Sequence, residues 1–277
     1  MKTHQRRKII VAVAPVGKED PPVEGNPLTP DEVAQAVVKC TEAGASMVHL
    51  HVRDETGQQT ADLKSFSHTL DLIRKHSDII IQGSTGGLAE LSLEERCAAV
   101  DDPRVEVASL NMGSANFKET VYINTLPDIR YWARRMLENS VVPELEIFEA
   151  GMIPTAFRLM EEEAITLPYY FNFCLGFYHA LPAEPTSLFF LESMIPPESP
   201  WGIVHDGMAD LSLLAAAIGL GASVVRVGFE DSNSFAPGET AADNSELVKK
   251  LSRLIRQMGC EVASPPEARH ILNIPVH

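Results

Sequence analysis

The sequence predicts one (β/α)₈ barrel spanning residues 1–277, and three observations favour that fold class. A short apolar run followed by an amphipathic run recurs eight times along the 277 residues, which is the alternation that such a barrel requires. Most of the short runs are apolar at consecutive positions, as is typical of strands covered on both faces. The loop after the first run, P-V-G-K at 15–18, lacks the G-x-G-x-x-G pattern of the rival open dinucleotide-binding sheet.

Eight strands are predicted at the apolar runs, each bounded by turn-forming or charged residues. In chain order they cover residues 8–14, 46–52, 79–83, 105–110, 144–148, 169–175, 202–205 and 222–228. In a barrel, the side chains at the carboxyl ends of the strands and in the loops that follow are the functional candidates.

Helices are predicted between the strands, where apolar residues recur every three or four positions. The first helix has the clearest start, because Thr29 can cap it, Pro30 suits its first turn and Glu32 completes a capping box. Gly44 suits a left-handed cap at its end. Later helices are predicted over residues 64–76, 93–100, 127–139, 151–163, 209–218 and 244–258.

The charge of the chain argues against two classes of partner. Acidic residues number 38 and basic residues 23, which gives a formal net charge of −15. Nucleic acid and anionic membranes both attract positively charged faces, so we expect neither as a partner. Hydrophobic residues make up 45% of the chain, but no apolar run approaches the roughly 20 residues that span a bilayer.

Neither the cysteines nor the first residues indicate export. Four widely spaced cysteines without a C-x-x-C pair are expected to be buried free thiols: Cys40, Cys97, Cys174 and Cys260. Basic residues precede the apolar run 9–16, as in a signal peptide, but Pro15 interrupts that run and residues 17–20 are mostly polar. A buried first strand and a cytoplasmic location are therefore expected.

Two histidines of the second predicted strand share one face. His49 and His51 are two residues apart, and the side-chain period of a strand places both on the same side. Two imidazoles so placed can converge on a metal ion. Taken alone, the pair is a weak indication, and two hydrogen-bonded core histidines are the alternative.

The last predicted strand carries two charged residues that should face the same interior space. Arg226 and Glu230 lie an even number of positions after Val224, so an extended strand would place all three side chains on the same face. A buried glutamate is costly unless it is paired or ligated. With His49 and His51, Glu230 would complete a set of two histidines and one carboxylate with an open position, which is typical of catalytic zinc. A salt bridge between Glu230 and Arg226 is the alternative.

Other strand ends carry further polar candidates. The turn Ser84-Thr85-Gly86 exposes backbone N–H and hydroxyl groups that suit a carboxylate or phosphate oxygen. Two acids inside a barrel are hard to explain by packing, although one can bridge a neighbouring arginine. The remaining candidates lie on strands 4 and 5 and, as a surface acid by default, in the loop after strand 1: Ser109, Asn111, Glu144, Glu146 and Glu19.

Together these segments resemble the β-keto acid cleavage enzymes, a family of zinc-dependent (β/α)₈ proteins. The resemblance runs nearly end to end, and the motifs in this order are specific to that family. They are N-P-L-T-P-D-E at 26–32, E-A-G-A-S-M-V-H-L-H-V-R-D at 42–54, I-I-I-Q-G-S-T-G-G at 79–87, S-L-N-M-G-S-A-N-F at 109–117, P-E-L-E-I-F-E-A-G-M at 143–152, V-R-V-G-F-E-D at 225–231 and S-P-P-E-A-R at 264–269.

The resemblance implies a reaction and a set of roles. Members of the family join a β-keto acid to acetyl-CoA and release acetoacetate and a new CoA thioester; we also expect a homo-oligomer, a dimer or a tetramer. Zinc is implied at His49, His51 and Glu230. The other implied roles are Asp231 as catalytic base, Arg226 as the residue that positions it, Ser84 and Ser109 as substrate-binding hydroxyls beside Thr85 and Gly86, and Glu19 and Glu146 as further acids of the site.

Two loops depart from the family pattern. After strand 6 the family carries a glycine-proline-rich loop that helps to admit CoA, whereas this chain has the bulkier G-F-Y-H-A at 176–180. After strand 7 it has V-H-D-G-M at 204–208 in place of a glycine-rich segment. The bulkier loop would narrow the barrel mouth. We therefore expect a substrate with a polar or anionic distal group that His179 reaches, with His205 and Arg53 as further contacts.

The sequence is also compatible with three other functions. An amidohydrolase-like metal hydrolase would use His179, His205 and Asp231 with the histidine pair, although that class usually carries H-x-H on strand 1. A non-haem iron oxygenase also uses two histidines and one carboxylate. A protein that binds a metal or metabolite without catalysis is the third, and turnover would exclude it.

Overall fold

The described part of the chain, residues 6–17, 23–86, 91–117 and 119–275, forms a closed barrel of eight parallel strands in a computed structural model. Each strand pairs with the next, and the eighth pairs with the first. The strands are β1 (Lys8–Val13), β2 (Met47–Leu50), β3 (Ile80–Gly83), β4 (Val105–Asn111), β5 (Val142–Ile147), β6 (Tyr170–Leu175), β7 (Trp201–His205) and β8 (Val224–Val227). The predicted (β/α)₈ barrel is confirmed.

Helices follow the strands, and most of them bury apolar side chains against the outside of the barrel. They are α1 (Pro30–Ala43), α2 (Leu63–Arg74), α3 (Leu93–Arg96), α4 (Leu126–Glu138), α5 (Met152–Glu161), α6 (Pro185–Glu192), α7 (Ser212–Leu220), α8 (Asn244–Gln257) and α9 (Pro265–Ile271). The helix predicted over 93–100 is instead α3 followed by a 3₁₀ turn, Ala98–Asp101. Among the described residues, no helix is long and apolar enough to cross a membrane.

The first helix begins and ends as its sequence predicts. The Thr29 side chain accepts a hydrogen bond from the Glu32 backbone, and the Glu32 carboxylate accepts one from the Thr29 backbone at 3.0 Å. Gly44 ends the helix with a left-handed φ of 118°. The backbone groups at both ends of α1 are therefore capped, which fixes where the helix begins and ends. After Gly44 the chain continues directly into β2 and its histidines.

The barrel interior is apolar at its amino-terminal end and polar near the carboxyl ends of the strands. The apolar layer includes Met47, Ile80 and Val142. Side chains two positions later point the same way along a strand, so the next layer contains His49, Gln82 and Glu144, all buried. Helix α9 and the residue after it close the floor below the apolar layer with Ala268 and Leu272.

An antiparallel hairpin follows β4 at the carboxyl end of the barrel. Its strands are Ala115–Phe117 and Thr120–Tyr122. The Phe117 ring lies 6.3 Å from the ring of Tyr122 and 5.9 Å from that of Phe177, which belongs to the loop after β6. The hairpin and that loop therefore form one aromatic rim beside the site.

Gly228→Ala is expected to destabilise the protein strongly, because β8 ends against the backbone that follows β1. Gly228 has a φ of 145°, and a Cβ there would lie 2.6 Å from the carbonyl carbon of Ala14 and closer still to its oxygen. We expect a loss of about 3 kcal/mol, equivalent to about 6–12 °C in Tm by circular dichroism.

The matched control for that substitution is Gly219→Ala within α7. No atom lies within 4 Å of a Cβ built on Gly219. Helix propensity then predicts an unchanged or raised stability, by up to about 1 kcal/mol. Equal Tm values for the two variants would show that the approach of Gly228 to Ala14 is not the constraint.

Candidate metal centre and active site

Three side chains with metal-binding atoms converge at the carboxyl end of the barrel. His49 lies on β2, His51 follows it, and Glu230 lies in the turn after β8. The Nε2 atom of His49 is 3.6 Å from one Glu230 oxygen, and Nε2 of His51 is 3.7 Å from the other. The three ligand atoms lie within 4.8 Å of one another, and the described chain contains no second group of this kind. The three residues form a possible metal-binding triad.

Glu230 reaches the histidines through a turn rather than through the strand alternation that the sequence suggested. Strand β8 ends at Val227, and Gly228 then takes its left-handed conformation. The backbone N–H of Glu230 donates to the carbonyl oxygen of Ala14 at 3.2 Å. The expected proximity of Glu230 to the histidines is present, but this turn is its cause.

The imidazole of His49 is buried and held in one orientation. Its Nδ1 atom lies 3.0 Å from Oε1 of Gln82 on β3. An amide oxygen accepts only, so Nδ1 carries the ring proton and Nε2 keeps the lone pair that a metal needs. Burial lowers the pKa of His49 to about 3, which keeps the ring neutral at pH 7.

Gln82 is itself fixed by a buried carboxyl group. Its Nε2 atom donates to Glu144 on β5 and, at 3.0 Å, to the hydroxyl of Tyr170 on β6. Tyr170 donates to the same Glu144 oxygen, and Asn172 donates to the other oxygen at 2.9 Å. These contacts prevent the Gln82 amide from turning over, so its oxygen stays directed at His49.

Gln82→Met is expected to weaken metal binding, measured with zinc, about 10–100-fold without unfolding the barrel, because partners that orient a metal-binding histidine typically contribute that much. Competition with a chromophoric chelator measures the affinity. Ser252→Ala serves as control, since this buried hydroxyl on α8 bonds to the carbonyl of Ala43, outside the barrel interior. Wild-type zinc affinity in Gln82→Met would show that Gln82 does not orient His49.

Asp231 lies beside the triad and is held by Arg226. The Nε atom of Arg226 donates to one Asp231 oxygen at 2.9 Å, and Nη2 donates to the other. The same Nη2 lies 3.3 Å from Glu230, so the salt bridge that the sequence left open is present as the longer contact. Burial raises the pKa of Asp231 to about 6, although Arg226 opposes the shift. Burial would also raise the pKa of Glu230, but the positive charge of Arg226 opposes burial, and that pKa lies well below its ordinary value.

A further buried carboxyl group, Glu146, lies near the end of β5. Nδ2 of Asn111 donates to it at 2.7 Å and to the hydroxyl of Tyr122 at 3.1 Å. Burial, and then the charge of Glu144, raises the pKa of Glu146 to about 8. Glu146 therefore keeps its proton at neutral pH and can donate a hydrogen bond.

The turn after β3 is tied to the end of β4. The backbone N–H of Thr85 donates to the Ser109 hydroxyl at 3.1 Å, and the Thr85 hydroxyl donates to the Ser109 carbonyl oxygen. The N–H of Gly86 donates to Oγ of Ser84 at 3.1 Å. Thr85 and Ser109 thus hold the turn in place, and a Cβ built on Gly86 would lie 3.2 Å from Oγ of Ser84 and 3.9 Å from Cε1 of His51.

The loop after β6 places its bulky side chains in two different environments. Phe177 packs inward against Phe148, with ring centroids 5.0 Å apart. His179 is exposed, has a left-handed φ of 68°, and lies against the ring of Tyr178 at 4.1 Å. A contact between His179 and a substrate therefore stays a prediction.

Two of the remaining candidates, His205 and Arg53, lie at or just after the ends of barrel strands at the mouth. His205 ends β7, and its buried Nδ1 atom has no hydrogen-bond partner in the described chain. Arg53 donates to the carbonyl of Gly57 in its own loop at 2.7 Å. Glu19 lies outside the described residues. The triad includes neither His179 nor His205, which disfavours the amidohydrolase alternative.

Comparison with known proteins identifies the family. The sequence profile of the beta-keto acid cleavage enzymes matches residues 8–274. The chain belongs to this family. A fellow β-keto acid cleavage enzyme, the 3-keto-5-aminohexanoate cleavage enzyme of Acetoanaerobium sticklandii, is 38% identical over 272 residues, which are 96% of this chain and 98% of that protein. The family that the sequence motifs resemble is confirmed, and with it the prediction of an enzyme.

Two further similarities extend the comparison. The 3-oxoadipate:acetyl-CoA acetyltransferase of Cupriavidus necator is 31% identical to this β-keto acid cleavage enzyme over 275 residues, covering 96% of this chain and 95% of that protein. The apo structure of ObcA superposes with a TM-score of 0.77 at 19% identity, and the match covers 91% of this chain and 66% of ObcA. The second similarity concerns the fold alone.

Two polar contacts of the site were not among the predicted residues. Gln82 lies two positions before Ser84 in an apolar strand, so both side chains are expected on the same face. Its inward position could therefore have been found from the sequence. No sequence pattern indicates Tyr122, because its position beside the site depends on the pairing of two short strands in the hairpin after β4.

Proposed function

We propose that this chain condenses a β-keto acid with acetyl-CoA and releases acetoacetate and the CoA thioester of the distal acyl group, with zinc as its metal. The observation that carries the proposal is the convergence of His49, His51 and Glu230 beside an Asp231 held by Arg226. Membership of the family and the name of the acetyl-CoA acetyltransferase relative support this reaction class.

The donor set fits zinc. Two imidazole nitrogens and one carboxylate oxygen, with one position left for the substrate, are the ligands typical of catalytic zinc. His49 is neutral and carries its proton on Nδ1, as a ligand through Nε2 requires. A bound zinc ion would polarise the keto and carboxylate oxygens of the substrate and acidify the carbon between them.

Asp231 takes the proton from that carbon, since its carboxyl group is buried, ionised above about pH 6 and positioned by Arg226. The carbanion attacks the acetyl carbonyl of acetyl-CoA and expels the CoA thiolate. The thiolate then attacks the keto carbon of the substrate, and the bond from that carbon to the former methylene carbon breaks. Asp231 returns its proton to the carbon that becomes part of acetoacetate.

The polar groups around the base hold the substrate. Glu146 is protonated at neutral pH, so it donates a hydrogen bond and does not repel the carboxylate of the substrate. Ser84 supplies a hydroxyl in the turn that adjoins His51, while Thr85 and Ser109 keep that turn in place. Each of these groups is fixed by the strands before reaction, which lowers the cost of orienting the substrate.

The substrate of this site is a β-keto acid with a polar distal group, of the 3-keto-5-aminohexanoate kind. The name of the relative at 38% identity supports this choice. The net charge of −15 also favours a distal ammonium group over a distal carboxylate. Whether His179 makes that contact stays a prediction.

The proposal is tested by assaying purified protein with acetyl-CoA and three β-keto acids that end in an amine, a carboxylate or an alkyl group, with metal content measured in parallel. We expect stoichiometric zinc, and acetoacetate formed fastest from the amino compound. Zinc-loaded protein that forms acetoacetate from none of them would refute the reaction, and stoichiometric iron would favour the oxygenase alternative. Light scattering tests the predicted homo-oligomer, and the cytoplasmic location stays a prediction.

A further inference from the structure

The hairpin after β4 brings one phenol to the edge of the metal triad. The Tyr122 oxygen accepts hydrogen bonds from Nη2 of Arg96 at 3.3 Å and from Nδ2 of Asn111 at 3.1 Å. Within the described ranges, the Tyr122 hydroxyl proton has no acceptor. Burial raises the pKa of Tyr122 well above its ordinary value, so the phenol keeps its proton. The Tyr122 O–H group is therefore a hydrogen-bond donor that is held in place and available to a ligand.

The space next to this hydroxyl is a cradle over Gly86. A Cβ built on Gly86 would lie 3.0 Å from the Tyr122 oxygen, 3.2 Å from Oγ of Ser84 and 3.9 Å from Cε1 of His51. Because Gly86 has no side chain, a ligand oxygen can approach this face of the turn and lie between the two hydroxyl groups, within hydrogen-bond distance of both. It would also adjoin a histidine of the triad.

Arg96 fixes Tyr122 and makes it a stronger donor. The guanidinium group donates to Asn124 at 2.6 Å and to the carbonyl of Ile123 at 2.8 Å, and its central carbon lies 4.2 Å from the centroid of the Trp132 ring. A phenol that accepts from a guanidinium group is polarised, so its own O–H bond donates more strongly. This arrangement favours an anionic acceptor in the cradle.

We infer that Tyr122 is a substrate-binding residue whose hydroxyl, together with that of Ser84, donates a hydrogen bond to the carboxylate of the β-keto acid in the cradle over Gly86. The inference rests on the proposed function, because it requires the substrate to bind at the triad. His51 borders the same cradle, so a carboxylate group held by the two hydroxyls lies beside the metal triad.

Calorimetric titration of the zinc-loaded protein tests this contact with two probes. Acetoacetate is a β-keto acid, and pentane-2,4-dione has a methyl group in place of one carboxylate oxygen. We expect Tyr122→Phe to weaken acetoacetate binding about 10–100-fold, the value of one hydrogen bond to a charged group, and to leave pentane-2,4-dione binding unchanged. Gly86→Ala fills the cradle with Tyr122 intact, so it should weaken binding of both probes.

Turnover and a matched control complete the experiment. In Tyr122→Phe the KM for the β-keto acid should rise while the KM for acetyl-CoA, the zinc content and the Tm stay at wild-type values. Tyr131→Phe removes a phenol hydroxyl on α4 and should change none of these quantities.

Four results would overturn the inference. They are wild-type affinity of Tyr122→Phe for acetoacetate, an equal loss for both probes, a loss of zinc or Tm in that variant, and a wild-type protein that does not bind acetoacetate. A wild-type protein that binds acetoacetate but turns over no β-keto acid refutes the proposed reaction alone.

Discussion

Asp231→Asn is expected to retain stoichiometric zinc and to lower kcat/KM by about 10²–10⁴, the usual cost of removing a general base. The amide keeps the shape of the carboxylate, and its remaining oxygen can still accept from Arg226. It cannot take a proton from the carbon beside the keto group. Steady-state kinetics with 3-keto-5-aminohexanoate and acetyl-CoA measure the loss, and atomic absorption measures the zinc.

Glu230→Gln is the matched control, because it makes the same change in the adjacent residue. Glu230 contacts both histidines, whereas Asp231 contacts Arg226 through both of its oxygens. We therefore expect Glu230→Gln to lose zinc, and Asp231→Asn to lose turnover with zinc retained. Near-wild-type turnover in Asp231→Asn would remove Asp231 from the role of base.

His49→Ala is expected to abolish stoichiometric zinc and, with it, measurable turnover. The substitution removes the ligand atom that lies 3.6 Å from Glu230 and is oriented by Gln82. The fold should persist, because the barrel is held by its apolar layers and closed strand pairing. Metal analysis after dialysis and far-ultraviolet circular dichroism measure the two outcomes.

His68→Ala provides the control for loss of a histidine. This residue lies exposed on α2, outside the triad, and its removal should change neither metal content nor fold. A His49→Ala protein that keeps full zinc would place the metal elsewhere. A collapsed His49→Ala protein would show that the triad supports the barrel itself.

The barrel was predictable because fully buried parallel strands are continuous apolar runs. The predicted strand 8–14 matches β1 almost residue for residue. Strand β5 begins at Val142, two residues before the prediction, because Pro143 resembled a strand boundary yet pairs within the sheet. Helix α6 was missed because Phe189 and Phe190 are exposed on a mostly apolar segment, which removes the amphipathic period.

The site was predictable where its residues lie on one strand, and less so where a turn supplies them. His49 and His51 follow the period of β2. The same rule would direct Asp231 away from Arg226, yet the Gly228 turn makes Asp231 the principal partner of that arginine. Tyr122 depends on the pairing of two short hairpin strands, and no periodicity within either strand indicates that pairing.

The closed floor of the barrel also constrains the order in which the chain can mature. Segment Glu261–Val262 pairs with β1, and Lys8 bonds to Glu267 across 259 positions, although these later residues leave the ribosome after all eight strands. A nascent chain that has emerged as far as β8 still exposes its lower apolar layer, including Met47. Contacts so distant in sequence form slowly, and collapsed intermediates with exposed apolar surface aggregate readily. We therefore expect such a chain to be prone to aggregation until α9 emerges.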